Sequence, residues 1–202
     1  MHFKEIWIFG IGLLGGSIAQ CLRKKNKDIK VYGVSRKEKN IENLVDYHVF
    51  DDYYTYDTVK SVSGLVVICT PVDTIKEIFK QIVSLQNGEL VVTDTGSTKE
   101  KIIKEIKEID KEKIFIGSHP MAGSEKSGFK NSDPDIFEGK KVIITPDKDT
   151  PDEIKNHVTQ FWQELGAVVT EVSPELHDEI TGLTSHTVHI VSSLLSHFLM
   201  EK

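Results

Sequence analysis

Glycines, histidines and a few hydroxyls carry the chemistry that can be read in this 202-residue sequence. Phe9-Gly10-Ile11-Gly12-Leu13-Leu14-Gly15-Gly16-Ser17 contains G-x-G-x-x-G. That pattern is weak alone, but here it follows an apolar run and opens a helical stretch, which is the setting in which it holds a pyrophosphate. Gly10 permits the tight turn, Gly12 lets the backbone approach the phosphates, and Gly15 lets helix and strand pack closely. The helix start at Ile11, Leu13 and Leu14 turns toward the phosphates. An NAD site usually places an acid at the end of the second strand, for the ribose 2′-hydroxyl. Here that strand ends Tyr32-Gly33-Val34-Ser35-Arg36-Lys37. A hydroxyl, a guanidinium and an ammonium suit a 2′-phosphate, so NADP is expected ahead of NAD, with Ser35, Arg36 and Lys37 as contacts. Glu38, one turn later, is the acid that would reverse this preference. Cys69-Thr70-Pro71 follows a strand and can border the nicotinamide ribose, with Thr95 at the end of the next strand. An apolar run precedes Cys69 and no histidine is near it in sequence, so its thiol reads as structural.

Two more polar segments follow strands at the same edge, Thr93-Asp94-Thr95-Gly96-Ser97-Thr98-Lys99 and Gly117-Ser118-His119-Pro120-Met121-Ala122-Gly123. Ser97 stands at a helix start, where its hydroxyl and the free N–H groups favour an oxygen anion. Ser97-Thr98-Lys99-Glu100 also has the capping-box form, which would consume that hydroxyl structurally. His119 ends a strand, and Pro120 fixes the turn after it. A neutral imidazole there can accept a proton from a substrate hydroxyl as hydride leaves the same carbon. A loop histidine bonded to backbone is the other reading. His186 and His189, at i and i+3, share a helix face. His177 lies nine residues before His186, so no metal site is expected, and polar residues lining a helix seam are the alternative.

These groups need elements to hold them. Strand-like apolar runs at 3–9, 29–34, 64–69, 89–93, 113–116, 141–145 and 167–171 alternate with helical periodicity at 13–24, 74–85, 97–109 and 151–165. Strand, helix, strand with short links means parallel pairing through right-handed crossovers. The expected fold is α/β, a doubly wound, Rossmann-type parallel sheet over residues 1–172, with one antiparallel edge strand near the end. Residues 119–139 are too long for a mere connector and read as a functional loop. Ser173-Pro174 then opens a helix that only Gly182 interrupts before residue 202. Its length is about 28 residues, or roughly 42 Å. Its apolar positions wrap more than one face, so it needs further helices, from the same chain, another chain or a missing continuation, and 173–202 reads as part of an incomplete second domain.

The composition bounds the rest. Thirty-one acidic against 25 basic residues give a net charge of -6, which argues against nucleic acid and anionic membrane surfaces as partners. No apolar run approaches the roughly 18 residues of a membrane span. No secretory signal is visible, and two cysteines make no disulfide framework. A cytoplasmic location is expected.

The motifs G-I-G-L-L-G-G-S, V-I-C-T-P, T-D-T-G-S-T-K, S-H-P-M-A-G-S and L-H-D-E-I-T-G-L-T-S-H-T-V-H, in this order over residues 6 to about 195, resemble the prephenate/arogenate dehydrogenase family of tyrosine biosynthesis. The resemblance implies oxidative decarboxylation of a cyclohexadienol bearing a ring carboxylate, with hydride passing to the nicotinamide. His119 would hold and deprotonate the hydroxyl, Ser97 would support it, and His189 would face the substrate. His177, His186, Ser118, Gly123 and Ser124 would complete the substrate site. The family's second domain is a helical bundle that dimerises and supplies arginines for the substrate carboxylates, so a homodimer through the C-terminal helix is expected. This sequence has only Arg23 and Arg36, and Lys126 or Lys130 would be less specific substitutes. A non-catalytic or regulatory nucleotide-binding module, lacking the clamp, is the competing expectation. A related reductase with a catalytic lysine on the second-domain helix ranks below both, because residues 174–200 contain no lysine.

Overall fold

The apolar runs become the strands of one sheet. The computed structural model of the chain describes residues 3–25, 28–36, 44, 47–123 and 126–200, without the side chains of 185, 186, 188–190 and 195. The strands are β1 (Glu5–Phe9), β2 (Lys30–Ser35), β3 (Asp52–Thr55), β4 (Val62–Ile68), β5 (Gln86–Asp94), β6 (Phe115–Pro120), β7 (Lys141–Thr145) and β8 (Val168–Glu171), in the order β3-β2-β1-β4-β5-β6-β7-β8. The first six run parallel. The order reverses between β1 and β4, which opens a crevice at their carboxyl ends.

Alternation along β1 explains the two layers. Ile6 and Ile8 point to one face, where α1 (Leu13–Lys25) and α4 (Asp152–Glu164) bury Ile18, Leu22, Phe161 and Trp162. Trp7 and Phe9 point to the other, where α2 (Ile75–Ser84) and α3 (Glu100–Lys107) bury Phe79, Ile82 and Ile102. The central strands are thus covered on both sides, as their near-continuous apolar sequences require.

Four expectations need correction. The strand β3 is additional to those expected, because Asp-Tyr-Tyr-Thr at a half-exposed sheet edge has neither an apolar run nor clean alternation. Two strands, not one, run against the others: β7 pairs antiparallel with β6, and β8 pairs parallel with β7. The helix expected from residue 97 starts at Glu100, and no side chain of its own segment caps it. The carboxylate of Asp178 instead accepts the Lys99 N–H at 2.7 Å and the Glu100 N–H at 3.0 Å. A charge from a distant helix thereby satisfies the orphan donors and complements the helix dipole, so the local capping box has no role.

The fourth correction concerns the terminal helix. Ser173 caps α5 (Pro174–Thr181) by accepting the Leu176 N–H, with Pro174 in the first turn, as expected. Residues Gly182–His186 then form a π-helical turn before α6 (Thr187–Met200). The Thr187 hydroxyl donates to the Gly182 carbonyl and Thr184 to Ile180, both at 2.7 Å, and such back-bonding disturbs the regular ladder. The apolar surface of α6 is open: Leu194 is 64% and Phe198 58% exposed. No helix among the described residues is long and apolar enough to cross a membrane.

The long loop after β6 is fastened to α1. Ser17 accepts the Asp133 N–H at 2.9 Å, Gln20 donates to Ser132 at 2.8 Å, and Lys24 pairs with Asp135 at 2.7 Å. Its turn at Phe129–Asn131 is held over the glycine segment in this way.

Candidate active site

The crevice at the switch point is a cleft of about 920 Å³. Gly10, Ile11 and Gly12 form its floor, and Ser35, Arg36, Cys69, Thr70 and Pro71 line its walls, so most of the expected cofactor residues meet there. Gly10 has φ +102°, and a Cβ on it would come within 2.6 Å of the Cys69 carbonyl oxygen. Only glycine tolerates both. A Cβ on Gly15 would lie 2.1 Å from the Gly10 carbonyl oxygen, so helix and loop pack in contact there. A Cβ on Gly12 would meet no protein atom within 4 Å. The backbone at Gly12 therefore faces open cleft, as a phosphate cradle requires. The Leu14 side chain packs onto the core below, so backbone N–H is what Leu13 and Leu14 can offer. Thr95 anchors rather than lines the cleft: its N–H donates to Ile68 at 3.0 Å. Burial pushes the Cys69 thiol up to about 12, against the lowering bond from Thr95, which makes it unreactive. Lys37 and Ser124 lie outside the described residues.

Several cleft residues carried no sequence signal. Tyr56 stacks on Phe9, with centroids 6.0 Å apart, and stands in the wall near Arg36. Asp73 comes from the turn before α2, Glu77 and Gln81 from its side, and Ser127 to Asn131 complete the lining. Lys130 is thus placed on the nucleotide cleft.

His119 does not line this cleft. It lies at the carboxyl end of β6, two strands beyond β4 along the same sheet edge. There the docking of α5 on the start of α3 builds a chain of side chains. His119 Nδ1 is 2.9 Å from His177 Nε2, and His177 Nδ1 is 2.7 Å from Asp178 Oδ1. The side chain of His177 is fully buried, with both ring nitrogens engaged, so the expectation that it touches substrate is corrected. Burial holds the His177 imidazole below the usual histidine range, although Asp178 opposes this. Burial alone would raise Asp178, but the bonds from His177, Lys99 and Glu100 hold its carboxyl below the usual carboxylate range.

Beneath His119 sits a fully buried ion pair. Lys99 Nζ contacts the Asp94 carboxylate and donates to the Ser118 carbonyl at 3.0 Å. Asp94 also accepts the N–H groups of Ser118 at 2.9 Å and Gly96 at 2.7 Å. The Ser118 hydroxyl, expected in the substrate site, is buried and turned inward instead. It bonds Thr93 at 2.7 Å and accepts the Trp162 indole N–H at 3.0 Å. Ser97 is exposed at the approach to α3, released from capping, and Gly123 is exposed on the loop beyond His119. The side chains of His186 and His189 lie outside the described residues, though their backbone continues the helix. Asp178, Lys99 and Asp94 were not singled out in the sequence; their only signal was membership of the motifs around Ser97 and His177.

Residues 18–171 match the family model for the prephenate dehydrogenase nucleotide-binding domain. The chain belongs to the prephenate dehydrogenase family. It is 32% identical to the cyclohexadienyl dehydrogenase of Zymomonas mobilis over 94% of its own length and 65% of that protein's. It is 31% identical to the prephenate dehydrogenase of Bacillus subtilis over 95% of its length and 53% of that protein's. Among solved structures, prephenate dehydrogenase of Aquifex aeolicus, in complex with hydroxyphenyl propionate and NAD+, superposes with a TM-score of 0.93 at 36% identity. That match covers 100% of this chain and 71% of the other. This member of the family therefore spans between 42% and 65% of the length of the curated relatives it matches, and its Rossmann-type sheet is the family's nucleotide-binding domain.

Proposed function

We propose that this chain binds a nicotinamide dinucleotide in the cleft and serves the oxidative decarboxylation of prephenate or arogenate, with His119 as proton acceptor. The single observation that carries the reading is His119 held by a buried His177 at the same sheet edge as a glycine-floored cleft, in a chain of this family. The cleft fits the cofactor: the open space over Gly12 and the close-packed glycines on either side form a cradle that a side chain would fill. Gly10, Ile11 and Gly12 would hold the phosphates, and Ser35 and Arg36 the ribose end. Arg36 at the cleft wall, with no acid at the β2 tip, supports NADP over NAD. When bound, the nicotinamide supplies the hydride acceptor.

The protein's own part is proton transfer and orientation. His119 accepts the ring hydroxyl proton as that carbon becomes a carbonyl carbon. Loss of the ring carboxylate as carbon dioxide then leaves the aromatic product, which makes the step effectively irreversible. Ser97, on the same edge, supports the hydroxyl. The substrate carboxylates call for a guanidinium. Arg23 is committed to Asp51 and to the carbonyls of Val49 and Ile29, and Arg36 to the nucleotide cleft. The clamp is therefore proposed to come from outside residues 1–202, with α6 joining a second copy.

Separate titrations of NADP and NAD, followed by assays of prephenate and arogenate with each, test this. We expect tighter NADP binding and, in His119→Asn, loss of turnover with nucleotide affinity unchanged. Full activity in that variant overturns the assignment of His119. Nucleotide binding without turnover of either substrate by the wild type points to a binding module.

A further inference from the structure

We propose that Lys130 is a phosphate-binding residue of the nucleotide cleft, brought to the start of α1 by the long loop after β6. This assignment rests on the reading of the cleft as a dinucleotide site and deepens it. It gives Lys130 to the cofactor rather than to the substrate carboxylates.

Packing fixes where Lys130 stands. Its neighbour Phe129 is buried, and a Cβ on Gly16 would come within 2.6 Å of the Phe129 ring. The Gly16 N–H donates to the Gly12 carbonyl at 2.9 Å, so that ring rests on the first turn of α1. Tyr47 meets the same ring edge-on, with centroids 4.9 Å apart. Asn131 Nδ2 donates to the Ser127 carbonyl at 2.7 Å, and the Ser132 hydroxyl donates to the Phe129 carbonyl. Together with the bonds from Ser17 and Gln20, these contacts fasten the turn to α1. Lys130 is exposed on that turn and lines the cleft. The backbone beneath it is already ordered, so gripping a ligand costs chiefly the freedom of one side chain.

Charge supplies the reason for a ligand. Among the described residues lining the cleft, the charged ones are Arg36, Asp73, Glu77 and Lys130. Asp73 and Glu77 come from the β4–α2 side, and Glu77 pairs with Lys80 at 2.9 Å. The α1 side is different. The start of α3 has Asp178 on its open N–H groups, but α1 has no acid in its first turn. Lys24 and Lys25, on α1, pair with Asp135 and Glu138 of the loop. Lys130 has no carboxylate at ion-pair distance among the described residues. Asp133, three residues on, accepts the Asp135 N–H at 2.9 Å and does not line the cleft. An ammonium without a counter-charge thus stands beside a helix start without an acid. A phosphate satisfies both, through the ammonium as a point charge and the N–H groups as donors.

The test is titration of the chain with NAD and with NADP, in the wild type, Lys130→Met, Lys130→Arg and Lys60→Met. Lys60 precedes β4 at the opposite edge of the sheet and controls for net charge. Lys130→Met is expected to lose about tenfold in affinity, the weight of one charge-assisted bond to phosphate. Its thermal unfolding without nucleotide stays unchanged. The loss shrinks as salt is raised. Lys130→Arg keeps the charge and most of the affinity, and Lys60→Met keeps all of it. Equal losses for NAD and NADP assign Lys130 to the diphosphate that both carry. A loss confined to NADP assigns it to the 2′-phosphate, and either result upholds the proposal. Unchanged affinity for both nucleotides in Lys130→Met overturns it, as does an equal loss in Lys130→Arg or Lys60→Met. A wild type that binds neither nucleotide overturns the reading of the cleft and this proposal together, so the two failures are told apart.

Discussion

Lys99 shows how little a residue's type says about its place. In sequence it is one of 25 basic residues; in the structure it is fully buried against Asp94, under the strand that carries His119. Burial lowers its proton affinity and Asp94 restores part of it. Removing one partner of a buried pair leaves the other charge uncompensated, which costs about 3–5 kcal/mol. Lys99→Met is therefore expected to lower the denaturant midpoint sharply, whereas Lys24→Ala, which breaks the exposed pair with Asp135, moves it little. Equal midpoints in a urea titration would contradict the weight given to this pair. His177 teaches the same lesson from the other side: its motif suggested a substrate contact, and the structure buries its side chain with both ring nitrogens bonded.

At the scale of elements, the turn from β1 into α1 carries a separable prediction. Gly15 packs against the Gly10 carbonyl, with no room for a methyl group, while Gly12 faces open cleft. Gly15→Ala must push helix and loop apart, and overpacking of this kind costs about 1–3 kcal/mol. Gly12→Ala touches no protein atom, so it should leave thermal unfolding unchanged while weakening nucleotide binding, the ligand being what the new methyl meets. Calorimetry of both variants with a nucleotide titration separates the two effects; a destabilised Gly12→Ala would show that the loop, not the ligand, needs this glycine. The helix starts were less legible. The Ser97 capping box was a sound local signal, but the stronger charge of Asp178 won the donors at α3. The Ser173 cap held, its hydroxyl accepting the Leu176 N–H.

For the whole molecule, the open question is what covers α6. Val191, Leu194, Phe198 and Leu199 are all exposed there, with Leu183 in the turn before it, and clustered apolar surface of this kind marks an interaction site. The chain is expected to self-associate through this helix. Sedimentation velocity should show a species larger than the monomer, reduced to monomer in Leu194→Gln/Phe198→Gln. A monomeric wild type at all concentrations would remove α6 from the interface. Helix periodicity already announced this surface, because a helix apolar on several sides must be covered on several sides.

The sequence by itself determined the elements with strong periodicity, the glycine cradle and the sheet class, since backbone period and burial write these locally. It did not determine β3, whose polar edge residues need no apolar run, or the two reversed strands. Nor did it determine the site's interior. His119, His177 and Asp178 meet only because α5 docks on the start of α3, and Lys99 is buried only because β5 and β6 close over it. Contacts between residues dozens of positions apart are set by the path of the chain, so His119 could be singled out from its motif, while the groups packed around it required the tertiary structure.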